Sequence, residues 1–547
     1  MSCGRSGATG SHSNAQPRQP GKAAGLAGAG DRRRHGVPCH AVDPPPARPT
    51  AGTDRNHRPG AAAGKRRTRM GTQELGFRSL HEEVGPVDLA VTGRIPPWLR
   101  GALVRTGPAL FEVGSSSYRH WFDGLAMLYR FGFGGGGVRY ASRFVRSRGY
   151  EAARTEQRIA HGEFATAPDR GVLGRIGALF RASEPSDNAN VNVLIRRDGA
   201  FALTETPRPV AFDPATLETL GPTPFTDGLN GQVTTAHPHI DARRGVQVNY
   251  LLEFGRRSCI HVLEQPLDGR ERRLLASVPV DRPAYMHSFG LTDRYVVLVE
   301  PPLRVHPLRM RFSTRPFIAR YRWQRGEGTR FRLVDRSDGS VTTVEGESCF
   351  AFHQVNAFDD GDDVTIDLCA YPDAAIVDNL SLDRLRGPGT SGVARSRLLR
   401  YRLPRTGGTA RVEEISPEPA ELPRIHEGAS AGRRYASLWA ASTRSAESGF
   451  FDRINRIDVE NGSRAAKWEQ DGCYAGEPLF IPRPGGSSEA DGAVVSLILD
   501  SVAQRSALLV LDAKDLVELA RAELPHIVPF NFHGRHTSGA EPADTVA

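Results

Sequence analysis

Val210-Ala-Phe-Asp-Pro-Ala-Thr-Leu-Glu218 runs an apolar, strand-like segment into a tight turn opened by an aspartate, and a second strand leaves it. The unit returns as Val334-Asp-Arg-Ser-Asp-Gly-Ser-Val-Thr342, as Ile457-Asp-Val-Glu-Asn-Gly-Ser463 and as Val510-Leu-Asp-Ala-Lys-Asp-Leu-Val517. Asp, Asn, Gly and Pro end such runs because their side chains or backbone freedom favour turns over extended chain. From about Phe77 onward the texture between these units is constant. Short runs rich in Val, Ile, Leu, Tyr and Phe, such as Val246–Phe254, Tyr295–Glu300 and Val494–Asp500, alternate with Gly/Asp/Pro turns. Long helical periodicity is scarce, so the fold class is all-β. Repeated hairpins over so long a chain favour a β-propeller of many blades over a two-sheet sandwich. The repeat is degenerate and does not fix the blade count.

The chain has 547 residues with 71 Lys+Arg against 62 Asp+Glu, a net charge of +9. Such a balance invites a nucleic-acid partner. Residues 1–70, however, hold thirteen of the basic residues and three acids, so they carry +10 and the rest of the chain −1. No nucleic acid is therefore expected on the body. Residues 1–70 are rich in Gly, Ala, Pro and Arg and almost empty of large apolar side chains, which reads as a disordered basic leader. It serves either as a basic tether or as an inert extension, the latter including a start site placed too early with Met70 as the true beginning. Residues 71–547 read as a single propeller domain.

No run approaches the roughly 18 apolar residues of a membrane span, and Met1–Asn14 has no apolar signal core. Six scattered cysteines without a CxxC pair fit neither a disulfide framework nor a zinc site. A cytoplasmic protein is expected.

Four histidines stand in similar contexts. His237 lies in Thr234-Thr-Ala-His-Pro-His-Ile-Asp241, His287 in Ala284-Tyr-Met-His-Ser-Phe-Gly290, His353 in Phe350-Ala-Phe-His-Gln354, and His533 in Pro529-Phe-Asn-Phe-His-Gly534. All flank strand-like runs. Their spacings of 50, 66 and 180 residues suit separate blades whose first strands line the propeller axis, and exclude a local zinc-knuckle loop. An all-imidazole set suits Fe, Cu, Zn or Ni; the residues alone stop there.

These contexts together resemble the carotenoid cleavage oxygenase family, which includes stilbene-cleaving dioxygenases and the retinal pigment epithelium isomerase. The resemblance extends through Arg105-Thr-Gly-Pro-Ala109, His120-Trp-Phe-Asp-Gly-Leu-Ala-Met-Leu128, Asp187-Asn-Ala-Asn-Val-Asn-Val193, Leu203-Thr-Glu-Thr206, Tyr474-Ala-Gly-Glu-Pro-Leu-Phe480 and Leu511-Asp-Ala-Lys-Asp-Leu516. It implies a seven-bladed β-propeller, with loops and short helices capping the active-site face and one Fe(2+) per chain held on the axis. The implied ligands are His237, His287, His353 and His533, with His239 as a support. Glu205, Glu421 and Glu477 match carboxylates that receive the free N–H of ligating imidazoles, which fixes the tautomer and strengthens the other nitrogen as a ligand. Val191 and Thr204 match small side chains that crowd one open iron position and steer O₂ to the other.

The resemblance implies a dioxygenase cleaving a conjugated C=C bond of a carotenoid or apocarotenoid with O₂ to give two carbonyl products. Stilbene-type cleavage, retinoid-type isomerisation at the same iron and a non-enzymatic propeller scaffold are the alternatives. After Met70 the chain has only Lys467 and Lys514, neither in a segment suited to holding a phenol, which argues against a stilbene. The expected partner is an apolar polyene drawn from a membrane, with no obligate protein partner evident. Residues 301–332 interleave apolar side chains with Arg, as in Pro301-Pro-Leu-Arg-Val-His-Pro-Leu-Arg-Met310 and Arg315-Pro-Phe-Ile-Ala-Arg-Tyr-Arg-Trp323. They read as a peripheral membrane contact at the substrate entrance, or alternatively as a solvated basic loop over a core strand.

Overall fold

The four aspartate-led hairpins are one structural element used four times. Each joins a third strand to a fourth: Val210–Phe212 to Thr219–Pro222, Thr329–Asp335 to Val341–Gly346, Arg453–Asp458 to Ser463–Trp468, and Arg505–Asp512 to Glu518–Glu523. In each turn the aspartate Oδ1 accepts the backbone N–H two residues on: Ala215, Ser337, Glu460 and Lys514, at 2.7, 2.9, 3.0 and 2.8 Å. The residue four beyond the aspartate then takes positive φ, at Leu217, Gly339, Gly462 and Leu516 (60, 75, 68 and 59°). The carboxylate locks the turn well enough for leucine to stand twice in a backbone region that favours glycine.

The computed structural model describes residues 73–169, 185–387 and 394–538. Residues 1–70, read as a basic leader, lie outside the described residues. The others build seven sheets of at least four strands, antiparallel except where Gly408–Thr409 joins Val341–Gly346, and together a seven-bladed β-propeller. The first blade runs from Gly534–Thr537 at the axis through Gly101–Leu110 and Leu125–Gly134 to Gly137–Phe144. Its innermost strand thus comes from the far end of the chain, pairing Ala102 with Thr537 and Arg105 with Gly534. A second clasp puts Ala90–Gly93 on the outer edge of the seventh blade, beside Glu518–Glu523. The two ends of the chain thus tie the first and seventh blades into the closed ring.

Apolar cores lie between neighbouring blades all round the ring. Leu103 and Phe131 of the first blade meet Val495 and Val510 of the seventh, and Val104 and Leu128 meet Val193 and Ala202 of the second. Ile366 and Val297 tie the fifth blade to the fourth. One further core caps the axis. Phe77, Trp121, Phe350, Phe352, Phe450, Phe530 and Phe532 pack there with the short helices Ala375–Asn379 and Leu382–Leu385.

His120 belongs to this cap. It is buried, its Nδ1 accepts the Phe122 N–H at 3.1 Å, and its Nε2–H donates to the Val377 carbonyl at 2.8 Å. Both nitrogens are used only while the ring is neutral. Burial pushes the imidazole down to about 4, against the pull of that carbonyl. A base whose folded value is depressed contributes stability that is complete above its unfolded value near 6.5 and is lost as pH falls toward 4. Urea unfolding at pH 7 and pH 4.5 is expected to show a smaller acid loss in His120→Gln than in the native chain, by up to about 3 kcal/mol.

Candidate metal centre

Each blade delivers one chemically distinctive side chain toward the axis. In ring order these are His533, Glu205, His237, His287, His353, Glu421 and Glu477. The histidines sit where inner strands start or break. His237 lies between Val233–Thr234 and His239–Asp241, His287 just before Gly290–Leu291, His353 inside Phe350–Asp360, and His533 just before Gly534–Thr537. Thr235 ties two of these loops together: its Oγ1 accepts the His237 N–H at 2.9 Å and donates to the His287 carbonyl.

One nitrogen of each of the four imidazoles lies within 4.8 Å of the others. The Nε2 atoms of His237 and His287 are 3.0 Å apart, and those of His353 and His533 are 3.2 Å apart. On the opposite side of the rings, Nδ1 of His287, His353 and His533 donates to Glu205, Glu421 and Glu477 at 2.6, 2.6 and 2.7 Å. An ionised carboxylate can only accept, so each Nδ1 carries the proton and each Nε2 a lone pair. In the His353–His533 pair two lone pairs therefore face one another in a buried site. That arrangement is repulsive without a cation. Two metal–imidazole bonds of about 2.1 Å at right angles place their nitrogens about 3.0 Å apart, so the donor set fits a divalent metal.

Protonation of His237 or His533 does not supply the cation. Burial, with the neighbouring histidines adding to it, holds His237 well below the usual imidazole range. His533 is pushed down to about 3 by burial, although Glu477 opposes it. Glu477 behaves oppositely. Burial alone raises its carboxyl, but Arg424, His533 and Arg105 beside it hold it well below the usual carboxylate range.

Two cavities meet at Phe122, Val191 and His287. One, of about 1280 Å³, runs past Thr204, Glu205 and Phe254 to His306, Leu308, Met310, Arg315 and Phe317. The other, about 40 Å³, lies deeper against Trp121, Phe352, Ile376, Leu380, Leu422, Phe451 and Phe532. Val191 stands where the two join, and its carbonyl accepts the His533 N–H at 3.3 Å. His239 stays out of the cluster, its Nε2 donating to the Phe289 carbonyl at 2.7 Å.

The segment 301–332 divides. Pro307–Phe312 is a short helix at the cavity mouth, with Leu308 60% exposed. Residues 322–332 do not join it, contrary to the sequence reading. Arg322–Trp323 pairs with Leu303–Arg304, and Arg330 and Arg332 lie in a blade strand, paired with Glu345 and Glu300. Lys467 pairs with Glu469 and Lys514 is exposed, and neither lines either cavity.

Sequence reasoning missed four supports. Tyr285 donates its hydroxyl to Glu205 at 3.0 Å and Tyr371 to Glu421 at 2.8 Å, while Arg105 and Arg424 flank Glu477. Only Arg105 left a trace, as a lone cation in the apolar run Gly101–Leu110.

Comparisons with known proteins agree with this geometry. A family described as "Retinal pigment epithelial membrane protein" matches residues 77–538. The chain is 33% identical to a carotenoid isomerooxygenase of Galleria mellonella, over 84% of this chain and 95% of that protein. It is 34% identical to the chloroplastic carotenoid cleavage dioxygenase 8 homolog A of Oryza sativa, over 83% and 86%. The solved structure of cobalt-substituted Synechocystis apocarotenoid oxygenase superposes with a TM-score of 0.75 at 27% identity, covering 85% of this chain and 98% of that one. With seven blades, a four-histidine axial cluster and a family match along almost the whole described body, the chain belongs to the carotenoid cleavage oxygenase family.

Proposed function

We propose that the chain is an Fe(II)-dependent dioxygenase that cleaves a conjugated C=C bond of a carotenoid or apocarotenoid, giving two carbonyl products. The observation that carries this reading is the cluster of four imidazoles, three of them backed by carboxylates, one of which, His287, lines a large cavity with Phe122, Phe164, Phe254 and Phe317 on its walls. His237, His287, His353 and His533 hold the iron. Four neutral ligands leave its +2 charge uncompensated and positions open, and the bound ferrous ion supplies the activation of O₂. Glu205, Glu421 and Glu477 fix ring direction and tautomer. Phe122, Phe164, Phe254, Met310 and Phe317 take the polyene from the mouth and exclude water around it. Val191 and Thr204 restrict the space beside the histidines. The balance is complete without a further reactant: one C=C bond and one O=O bond break, two C=O bonds form, and both oxygens come from O₂.

Iron-loaded protein incubated with a full-length carotenoid and with an apocarotenal under isotopically labelled O₂ tests the reading. Two carbonyl fragments, each labelled, are expected. A bound polyene returned uncleaved contradicts it, and an isomer without label indicates the retinoid-type chemistry instead.

We propose also that the mouth rests on a membrane surface, since exposed Leu308 lies on its rim beside exposed Arg315. No helix among the described residues is long and apolar enough to cross one. Burying one leucine contributes about 1.5–3 kcal/mol, so Leu308→Asp is expected to lower co-flotation with anionic vesicles at least about tenfold. Catalysis does not need residues 1–70 in this reading. Protein begun at Met70 is expected to cleave a detergent-dispersed carotenoid at the native rate.

A further inference from the structure

The three carboxylates behind the histidines are not equivalent. Glu205 and Glu421 take a second hydrogen bond from a neutral phenol, Tyr285 or Tyr371. Glu477, fully buried, lies instead between two cations. Arg424 approaches Oε1 at 2.7 Å and fully buried Arg105 approaches Oε2 at 3.3 Å. A carboxylate neutralised from both sides draws less on the Nδ1 proton it accepts, so His533 keeps less imidazolate character and is a poorer electron donor than His287 or His353. The Arg424 charge is itself shared. Its Nη1 donates to Glu427 at 2.7 Å, and Glu427 also takes Arg535 at 2.8 Å. The Glu427 side chain is 47% exposed, so one chain of charges runs Glu477–Arg424–Glu427–Arg535 from behind His533 to the surface.

We infer that Arg424 is a positioning residue that weakens the donation of His533 through Glu477 and so keeps bound iron ferrous, and that Glu427 sets how much of the Arg424 charge reaches Glu477. The inference rests on the proposed iron site. Withdrawing a cation makes oxidation of the metal easier, and withdrawing the competing anion makes it harder, so the two ends of the chain act with opposite sign.

The experiment is an anaerobic redox titration of full-length, iron-loaded protein, following the ferric signal by electron paramagnetic resonance with iron content measured alongside. Arg424→Gln is expected to shift the ferric/ferrous ratio at fixed potential about tenfold toward ferric, about 59 mV for a one-electron couple. Arg424→Lys, which keeps the charge, is expected to recover most of that shift. Glu427→Gln, at a half-exposed position, is expected to move the ratio toward ferrous. If Arg424→Gln fails to fold or to hold iron, Glu427→Gln decides alone: a shift toward ferrous supports the inference and an unmoved ratio overturns it. Equal shifts in Arg424→Gln and Arg424→Lys also overturn it. Native protein that takes up no iron contradicts the proposed function and this inference together, whereas native iron whose potential ignores all three variants contradicts the inference alone.

Discussion

His353→Ala is expected to be purified without iron and to cleave no carotenoid, a loss exceeding the 10–100-fold typical of a carboxylate behind a ligand. His353 stands between two requirements of the site. Its Nε2 faces His533 at 3.2 Å, and its Nδ1 occupies Glu421 at 2.6 Å. Removing the ring deletes one of the four proposed ligands and strips a buried carboxylate of its shortest hydrogen bond, leaving it Tyr371 and the Leu422 N–H. Iron content by mass spectrometry separates this outcome from simple misfolding, since the circular dichroism of the seven sheets is expected to persist. A variant that retains one iron per chain contradicts the ligand assignment.

Glu477→Leu is expected to act on stability as strongly as on metal. Leucine matches the volume poorly, leaves buried Arg105 without its anion and leaves half-buried Arg424 with Glu427 alone. Breaking a buried pair by removing one partner costs about 3–5 kcal/mol, because the remaining charge stays desolvated. Here the remaining charges also repel one another. Gly534 N–H, which donates to Glu477 at 3.0 Å, loses its acceptor at the first residue of the strand that closes the ring. Urea unfolding is expected to show the full loss in Glu477→Leu and a smaller one in Glu477→Gln, which keeps shape and an acceptor oxygen. Equal stability in the leucine variant and the native chain would show that this ion cluster does not hold the closure.

The propeller was readable in the sequence where its turns depend on a side chain. Asp213, Asp335, Asp458 and Asp512 accept from their own turn, so the residue type recurs with the structure. Two of the other three blades make the equivalent turn on backbone freedom instead, at Gly135–Gly136 and at Gly407–Gly408. That is why four repeats were visible and seven blades were not. The ring closure pairs residues more than 400 positions apart and leaves no local pattern at either end.

The site divides in the same way. The histidines and glutamates were legible through motifs in which they stand among turn and aromatic residues. Tyr285, Tyr371 and Arg424 meet their carboxylates across blade boundaries, 80, 50 and 53 residues away, and nothing adjacent to them in sequence marks the pairing. The entrance was read too broadly for a simpler reason. Over residues 329–333 the arginines alternate with Phe331 and Leu333 at period two, with every second residue buried. That is the signature of a blade strand with one paired face. At Pro307–Phe312 the spacing is helical and the mouth is real.

The most direct test of the account is anomalous diffraction at the iron edge from crystals of the iron-loaded protein grown without oxygen. A single peak is predicted among the Nε2 atoms of His237, His287, His353 and His533. A peak elsewhere, or an empty cluster in a preparation that cleaves carotenoid, would contradict it.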